Sequence, residues 1–194
     1  VTLDLLQKHV RDIGAKYPIR RDRTRRLFVE ERAAAFHEKR DREYAIKSEI
    51  SKHFGVPYAH VCFTGSSQLG FSIQKERLFQ VGISDLDAAC VDIALYGEAW
   101  ENIVKTTRAF SDYTAFGSMS REKIDLFQRQ ILRRGMILID FMPTSKLKQK
   151  WTQFLGTLSR QNSDLFGSIT LAIYMSEYAF CWKQDSVLSL IMER

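Results

Sequence analysis

The apolar positions of the chain fall into two textures that change near residue 60. Over residues 3–13 apolar side chains alternate with charged ones at helical spacing, and Gly14 follows, so a short helix ending near that glycine is predicted. Residues 24–54 are charged and helix-forming with few breakers, and Gly55 followed by Pro57 is a stop signal. Between them, residues 16–26 read as a basic turn. The N-terminal quarter is therefore predicted to be a helical hairpin whose long second helix shows much of its charge to solvent. From His60 the pattern shortens. Residues 60–64 form a β-prone run that stops at Gly65, and residues 86–95 form a second, mostly apolar run. Residues 99–110 and 120–134 have helical spacing, with Ser120 suited to an N-cap. Residues 136–141 form an apolar strand closed by Pro143, residues 146–159 a helix, and residues 168–182 one or two further strands.

Helices first, then strands interleaved with helices, define an α+β class. The expected architecture is a mixed β-sheet of four to five strands flanked by helices, with the N-terminal hairpin attached. The organisation follows as an N-terminal helical arm over residues 1–54 and an α/β core over residues 55–194. The chain has no repeat and no low-complexity linker.

Composition narrows the class of protein. With 194 residues, 45% hydrophobic side chains and only 3 prolines, the chain is globular rather than disordered or collagen-like. No apolar run reaches the ~18 residues of a membrane span, so no membrane is expected as a partner. Cys62, Cys90 and Cys181 are far apart, without metal-ligand spacing, and read as reduced thiols of a cytoplasmic protein. The formal charge of +6 is unevenly spread. Residues 1–54 hold 14 basic and 9 acidic side chains, and the remainder 15 and 14. Within residues 16–26 there are six basic residues and one acid. That segment is either a solvated helix start or a phosphate-contacting patch for an RNA, DNA or protein acceptor. Aromatics beside it are few, so base stacking there is poorly supported.

The chemistry concentrates where the first strand ends. Gly65, Ser66 and Ser67 follow the run 60–64, and Asp85-Leu86-Asp87 opens the next strand. Gly65 lets the backbone approach a bulky anion with no Cβ in the way, and exposed N–H groups with the Ser66 and Ser67 hydroxyls suit a phosphate. Residues i and i+2 of a strand share a face, so Asp85 and Asp87 point the same way. Two such carboxylates repel unless a cation lies between them, and carboxylates with waters and phosphate oxygens are what Mg²⁺ prefers. Each half alone has a plainer reading, as a common Gly-Ser turn or as turn-initiating aspartates. The combination strand, Gly-Ser-Ser, strand with Asp-x-Asp is more specific.

That combination resembles the nucleotidyltransferase superfamily with a DNA polymerase beta-like fold. The resemblance covers about residues 61–92. It implies a mixed-sheet core, divalent metal (Mg²⁺ or Mn²⁺), and transfer of a nucleoside monophosphate from an NTP, ATP foremost, to an acceptor hydroxyl with release of pyrophosphate. Gly65 and Ser66 match the phosphate-binding turn, with Ser67 beside it, and Asp85 and Asp87 match the metal carboxylates. The family usually adds a third carboxylate on a neighbouring strand. Asp140, at the end of the apolar run 136–141, is the candidate. Asp92 is the rival, but its odd offset from Asp87 turns it to the other face. Asp85 follows Ser66 by nineteen positions, longer than the family's compact spacing, so residues 74–80 require a loop or an extended helix. Branches with similar turns include small-molecule nucleotidyltransferases, cyclic-oligonucleotide synthases, nucleic-acid-tailing enzymes, and toxin–antitoxin or phage-defence enzymes that modify RNA or protein.

Elsewhere the bland readings prevail. Lys146, Lys148 and Lys150 read as helix surface, with reach to the cleft as the alternative, and the four histidines show no ligand pairing. Tyr174, Tyr178, Phe180 and Trp182 read as core, with one exposed ring stacking on a nucleobase as the alternative. Two further classes of function remain beside the enzyme: a non-catalytic nucleotide- or nucleic-acid-binding module keeping this fold, and an interaction protein whose residues 1–54 bind a partner.

Overall fold

The computed structural model describes residues 2–192. A four-stranded mixed sheet runs in the order β1 (Val61–Thr64), β4 (Leu86–Val91), β6 (Ile169–Tyr174), β5 (Met136–Leu138). β1 is antiparallel to β4, β4 is parallel to β6, and β5 is antiparallel to β6. A separate hairpin pairs β2 (Phe71–Ser72) with β3 (Arg77–Leu78) and supplies the long spacer between the turn and the carboxylates. The molecule is α+β, as the pattern of elements predicts.

The strand period of two sends alternate side chains into two cores. Phe63, Leu86, Ala88, Cys90, Leu171 and Ile173 face one cluster with α3 (Arg40–Phe54), α5 (Ile93–Thr106), α6 (Arg121–Arg134) and α7 (Lys146–Gln161). Cys62, Ala89, Met136 and Tyr174 face the other, with α1 (Leu3–Lys16) and α8 (Glu177–Met192). With both faces covered, all four residues of β1 are buried.

Several boundaries shift for local reasons. The run 86–95 is strand only to Val91, because the Asp92 carboxylate accepts hydrogen bonds from the Ala94 and Leu95 amides at 2.9 and 3.0 Å and starts α5. β5 stops at Leu138 and a 3₁₀ turn, Ile139–Phe141, takes over ahead of Pro143. The run 168–182 yields one strand and then a helix. Tyr174 and Phe180 are core, whereas Tyr178 and Trp182 are 73% and 43% exposed on the outer side of α8.

The long second helix expected over residues 24–54 is broken. α2 (Arg20–Arg25) passes into a π-helical turn, Arg26–Glu30, then a 3₁₀ turn, Ala34–Phe36, before α3 begins. Phe36 accounts for the break. It is fully buried with its ring 5.3 Å from that of Phe63, so the chain must bend inward between the helices. Residues 2–54 thus contribute side chains to both cores, with Ile46, Ile50 and Phe54 in one and Val10, Leu27 and Phe28 in the other.

Candidate active site

Thr64, the last residue of β1, is paired with Asp87 of β4, so the turn that leaves β1 lies directly against the carboxylate. Gly65 has φ of +65°, and a Cβ added to it would collide with Asp87 Oδ2. Only glycine satisfies both the conformation and the close approach. Gly65 opens the short helix α4 (Gly65–Leu69). Ser66 lines the cavity beside the turn. Ser67 does not: its hydroxyl is buried and donates to the Thr64 carbonyl at 2.9 Å, fixing the turn from behind. Gln68 is likewise buried, and its amide donates to the carbonyls of Leu27 and Glu31 at 2.8 and 2.9 Å. These two bonds tie α4 to the π-helical turn and set Phe28 against the cavity wall.

Asp85 and Asp87 share a face, as their spacing predicts, and both line a cavity of about 470 Å³. Each is held on one oxygen only. The Thr170 hydroxyl, on the neighbouring parallel strand opposite Asp87, donates to Asp87 Oδ1 at 3.0 Å. The Ser168 hydroxyl donates to Asp85 Oδ1 at 2.7 Å. Gly167 permits that contact, because a Cβ there would fall 2.6 Å from the Ile83 carbonyl oxygen. The two strand-entry loops are further stitched by backbone bonds from Gly167 N to Ser84 O and from Leu86 N to Ser168 O. Both Oδ2 atoms lack a hydrogen-bond partner among the described residues.

Positive charge surrounds the pair without closing on it. Lys75 and Arg77 from the β2–β3 hairpin and Lys183 from α8 line the same cavity. No salt bridge joins any of them to Asp85 or Asp87 among the described residues. Burial pushes the Asp87 carboxyl above its usual range and the nearby Asp85 charge adds to this, while the Thr170 hydroxyl, Lys183 and Lys75 hold it back. Burial, and after it Arg134, lowers the Lys183 ammonium, which Asp87 partly restores. The site is an acidic pair in a cavity that three basic side chains also line.

Asp140 stands apart from this pair. It is exposed on the 3₁₀ turn, outside the cavity, and its own carbonyl accepts from Lys148 Nζ at 3.0 Å. Lys148 also donates to the Met142 carbonyl at 2.6 Å, so this lysine closes a turn instead of reaching the cleft. The expected strand ends two residues too early to carry Asp140 onto the sheet face. The residue beside Asp87 on the adjacent strand is Thr170, which carries a hydroxyl and no carboxylate. Among the described residues no three His, Cys, Asp or Glu side chains converge on a common point. Two hard carboxylates, each with a free oxygen, nonetheless suit a Mg²⁺ that takes its remaining ligands from water and phosphate.

The basic segment is also differently disposed. Arg20, Arg23 and Arg25 turn toward α8, whereas Arg21 lies beside Asp22 and Arg26 beside Glu31. Arg20 and Arg23 both donate to Asp185, at 2.7 and 2.5 Å, and Arg25 makes a two-pronged contact with Glu177. The Arg20 guanidinium also stacks on Trp182 at 3.8 Å. Thr170, Ser168, Lys183 and Gln68 went unnoticed in the sequence, because each acquires its role only through pairing across the sheet or packing across the cavity. No helix among the described residues is long and apolar enough to cross a membrane.

Compared with known protein families, with curated proteins and with solved structures, the chain has no match.

Proposed function

We propose that the chain is a metal-dependent nucleotidyltransferase, using ATP foremost among NTPs and acting in the cytoplasm. The observation that carries this reading is the collision course between Gly65 and Asp87: a glycine turn held in a left-handed conformation directly over a carboxylate pair that lacks a counter-ion. Asp87 is partly buried beside the exposed Asp85, and a carboxylate so placed costs stability unless a cation offsets it. The arrangement suits a triphosphate carrying its own divalent cation.

In this reading Gly65 lets the backbone approach the phosphates, and Ser66 offers its hydroxyl to them. Lys75, Arg77 and Lys183 supply positive charge around the leaving pyrophosphate. Asp85 and Asp87 would hold Mg²⁺ or Mn²⁺, which when bound offsets charge at the transferring phosphorus and lowers the pKa of the acceptor hydroxyl. Thr170 and Ser168 each hold one oxygen of a carboxylate and leave the second without a hydrogen bond. The acceptor oxygen bonds to the α-phosphorus, the α–β phosphoanhydride breaks, pyrophosphate leaves, and the hydroxyl proton passes to water. The test is Asp87→Asn with α-labelled NTP: transfer is abolished while the protein stays folded, and unchanged turnover sinks the assignment.

Thr170 favours a second reading. A hydroxyl where the family usually carries a third acid is what a binding module that has lost the chemistry would retain. Such a module binds NTP and releases no pyrophosphate in the presence of Mg²⁺, which separates the two.

A further inference from the structure

The basic segment has few aromatics in its own stretch of sequence, and the fold brings others to it. α2 packs against α8, and the Arg20 guanidinium stands over the Trp182 ring at 3.8 Å. Tyr178 and Trp182 lie one helical turn apart on α8. Their rings are stacked, with centroids 6.0 Å apart and planes 28° from parallel. Both are on the outer side of the helix, and no third ring touches either among the described residues. Lys183, next after Trp182, lines the cavity, so α8 carries this ledge and part of the cavity wall on neighbouring sides.

The ledge is held in shape from behind. Asp185 is buried and accepts a 2.7 Å hydrogen bond from Arg20 Nε, and Arg20 in turn covers one side of Trp182. Rings ordered before a ligand arrives lose little freedom when it binds. Adjacent large rings left in water also mark an interaction site on a protein surface.

Charge decides the kind of partner. Three elements meet here: α2, α8, and the last turn of α6, whose capping Gly135 packs on Met175 and Ala179 at the start of α8. α2 carries four arginines and one acid, α8 one lysine and two acids, and the last turn of α6 two arginines. Glu177 and Asp185 engage Arg20, Arg23 and Arg25. Arg21 has only the neighbouring Asp22, at 3.6 Å, and Arg133 and Arg134 have no ion pair among the described residues. Stacked rings with surplus guanidinium groups beside them fit a strand of alternating bases and phosphates: the bases take ring faces and the phosphates take the arginines. An amphipathic segment of another protein would cover the rings and leave the surplus charge unanswered.

We infer that the Tyr178–Trp182 ledge binds single-stranded nucleic acid, with bases stacked on the rings and the sugar–phosphate backbone along the arginines of α2 and α6. Every base has a stacking face, so the ledge reads no sequence. In a duplex those faces are covered, and a duplex is held less tightly. Strand binding here needs neither NTP nor metal, and so stands or falls separately from nucleotidyl transfer.

The experiment is fluorescence anisotropy with labelled single-stranded RNA and DNA of about 12 nucleotides, and with the duplex of the same sequence, in the absence of NTP and Mg²⁺. The wild-type chain is expected to bind one or both single strands about tenfold more tightly than the duplex, and the tighter of the two identifies the sugar. Affinity is expected to fall about tenfold between about 50 and 200 mM salt, as two or three phosphate contacts require. Tyr178→Ala, at an exposed position, is expected to weaken strand binding about tenfold without lowering the melting temperature. Binding is also expected to quench tryptophan emission, and Trp182→Phe to abolish that quench. No binding of either strand, equal affinity for the duplex, a Tyr178→Ala protein that binds as wild type, or a quench that survives in Trp182→Phe overturns the ledge. Self-association lost in Tyr178→Ala, with strand affinity unchanged, assigns the rings to a protein interface and overturns it as well.

Discussion

Asp185 and Asp87 are two carboxylates withdrawn from water and treated in opposite ways. Asp185 on α8 is 1% exposed, and each of its oxygens receives an arginine, Arg23 on one and Arg20 on the other. Asp87 on β4 receives a single neutral hydroxyl, from Thr170, and its remaining oxygen faces a glycine turn and an open cavity. One charge is compensated inside the chain, and its job is to bind α2 to α8. The other is compensated only in part, by lysines at a distance and against a second carboxylate. A protein that can place two arginines on one buried acid could have done so at the other. The contrast separates an ion cluster that ties the N-terminal region to α8 from a carboxylate pair at the mouth of the sheet that receives only neutral hydroxyls.

Substitutions sharpen this contrast in order of size. Asp87→Asn is expected to lower nucleotidyl transfer by about 10²–10³-fold or more, read from labelled acceptor. The same change at Asp185 is expected to spare the active-site chemistry and cost stability, about 2–3 kcal/mol in a urea titration, because two arginines lose their partner. Gly65→Ala is expected to cost about 1–2 kcal/mol from the left-handed backbone alone, and further activity as its Cβ displaces the Asp87 carboxylate. A smaller effect concerns pH. The folded-state pKa of Asp87 is raised, chiefly by burial, so the folded chain holds that proton more tightly than the unfolded one. Its contribution to stability is present below the unfolded carboxylate pKa, about 4, and is lost as pH rises through the raised value. Asp87→Asn is therefore expected to melt higher than wild type at pH 7, with the gap closing on acidification. An unchanged gap across pH contradicts that origin. Asp140→Asn is expected to do least, within about 0.5 kcal/mol and with transfer intact, since its side chain is exposed and away from the cavity.

The same contrast explains how far the sequence could be read. Asp85 and Asp87 were legible because strand parity is local: a spacing of two puts them on one face wherever the strand lies. Gly65 and Ser66 were legible because a turn after an apolar run is also local. Asp140 misled because parity and apolarity continue to residue 141, whereas the strand gives way to a 3₁₀ turn before Pro143. Ser67 misled because the short helix turns it inward to the Thr64 carbonyl. For the basic segment, read as a solvated helix start or a phosphate-contacting patch, nothing local reveals that Asp185 and Glu177, more than 150 residues later, meet Arg20, Arg23 and Arg25. Thr170 became visible only through the β4–β6 register. The α+β class and most elements followed from periodicity. Phe36, which breaks the N-terminal helix, acts through rings on distant segments that periodicity does not encode.

The central claim is that the Asp85–Asp87 end of the cavity transfers a nucleotide. The most direct measurement is labelling of acceptors in a cell lysate with α-labelled ATP and Mg²⁺, comparing the wild-type chain with Asp87→Asn after both are shown to be folded. The account predicts label with the wild-type chain that depends on Mg²⁺ and disappears in the variant. Equal labelling by the two proteins, or none by the wild-type chain, contradicts it.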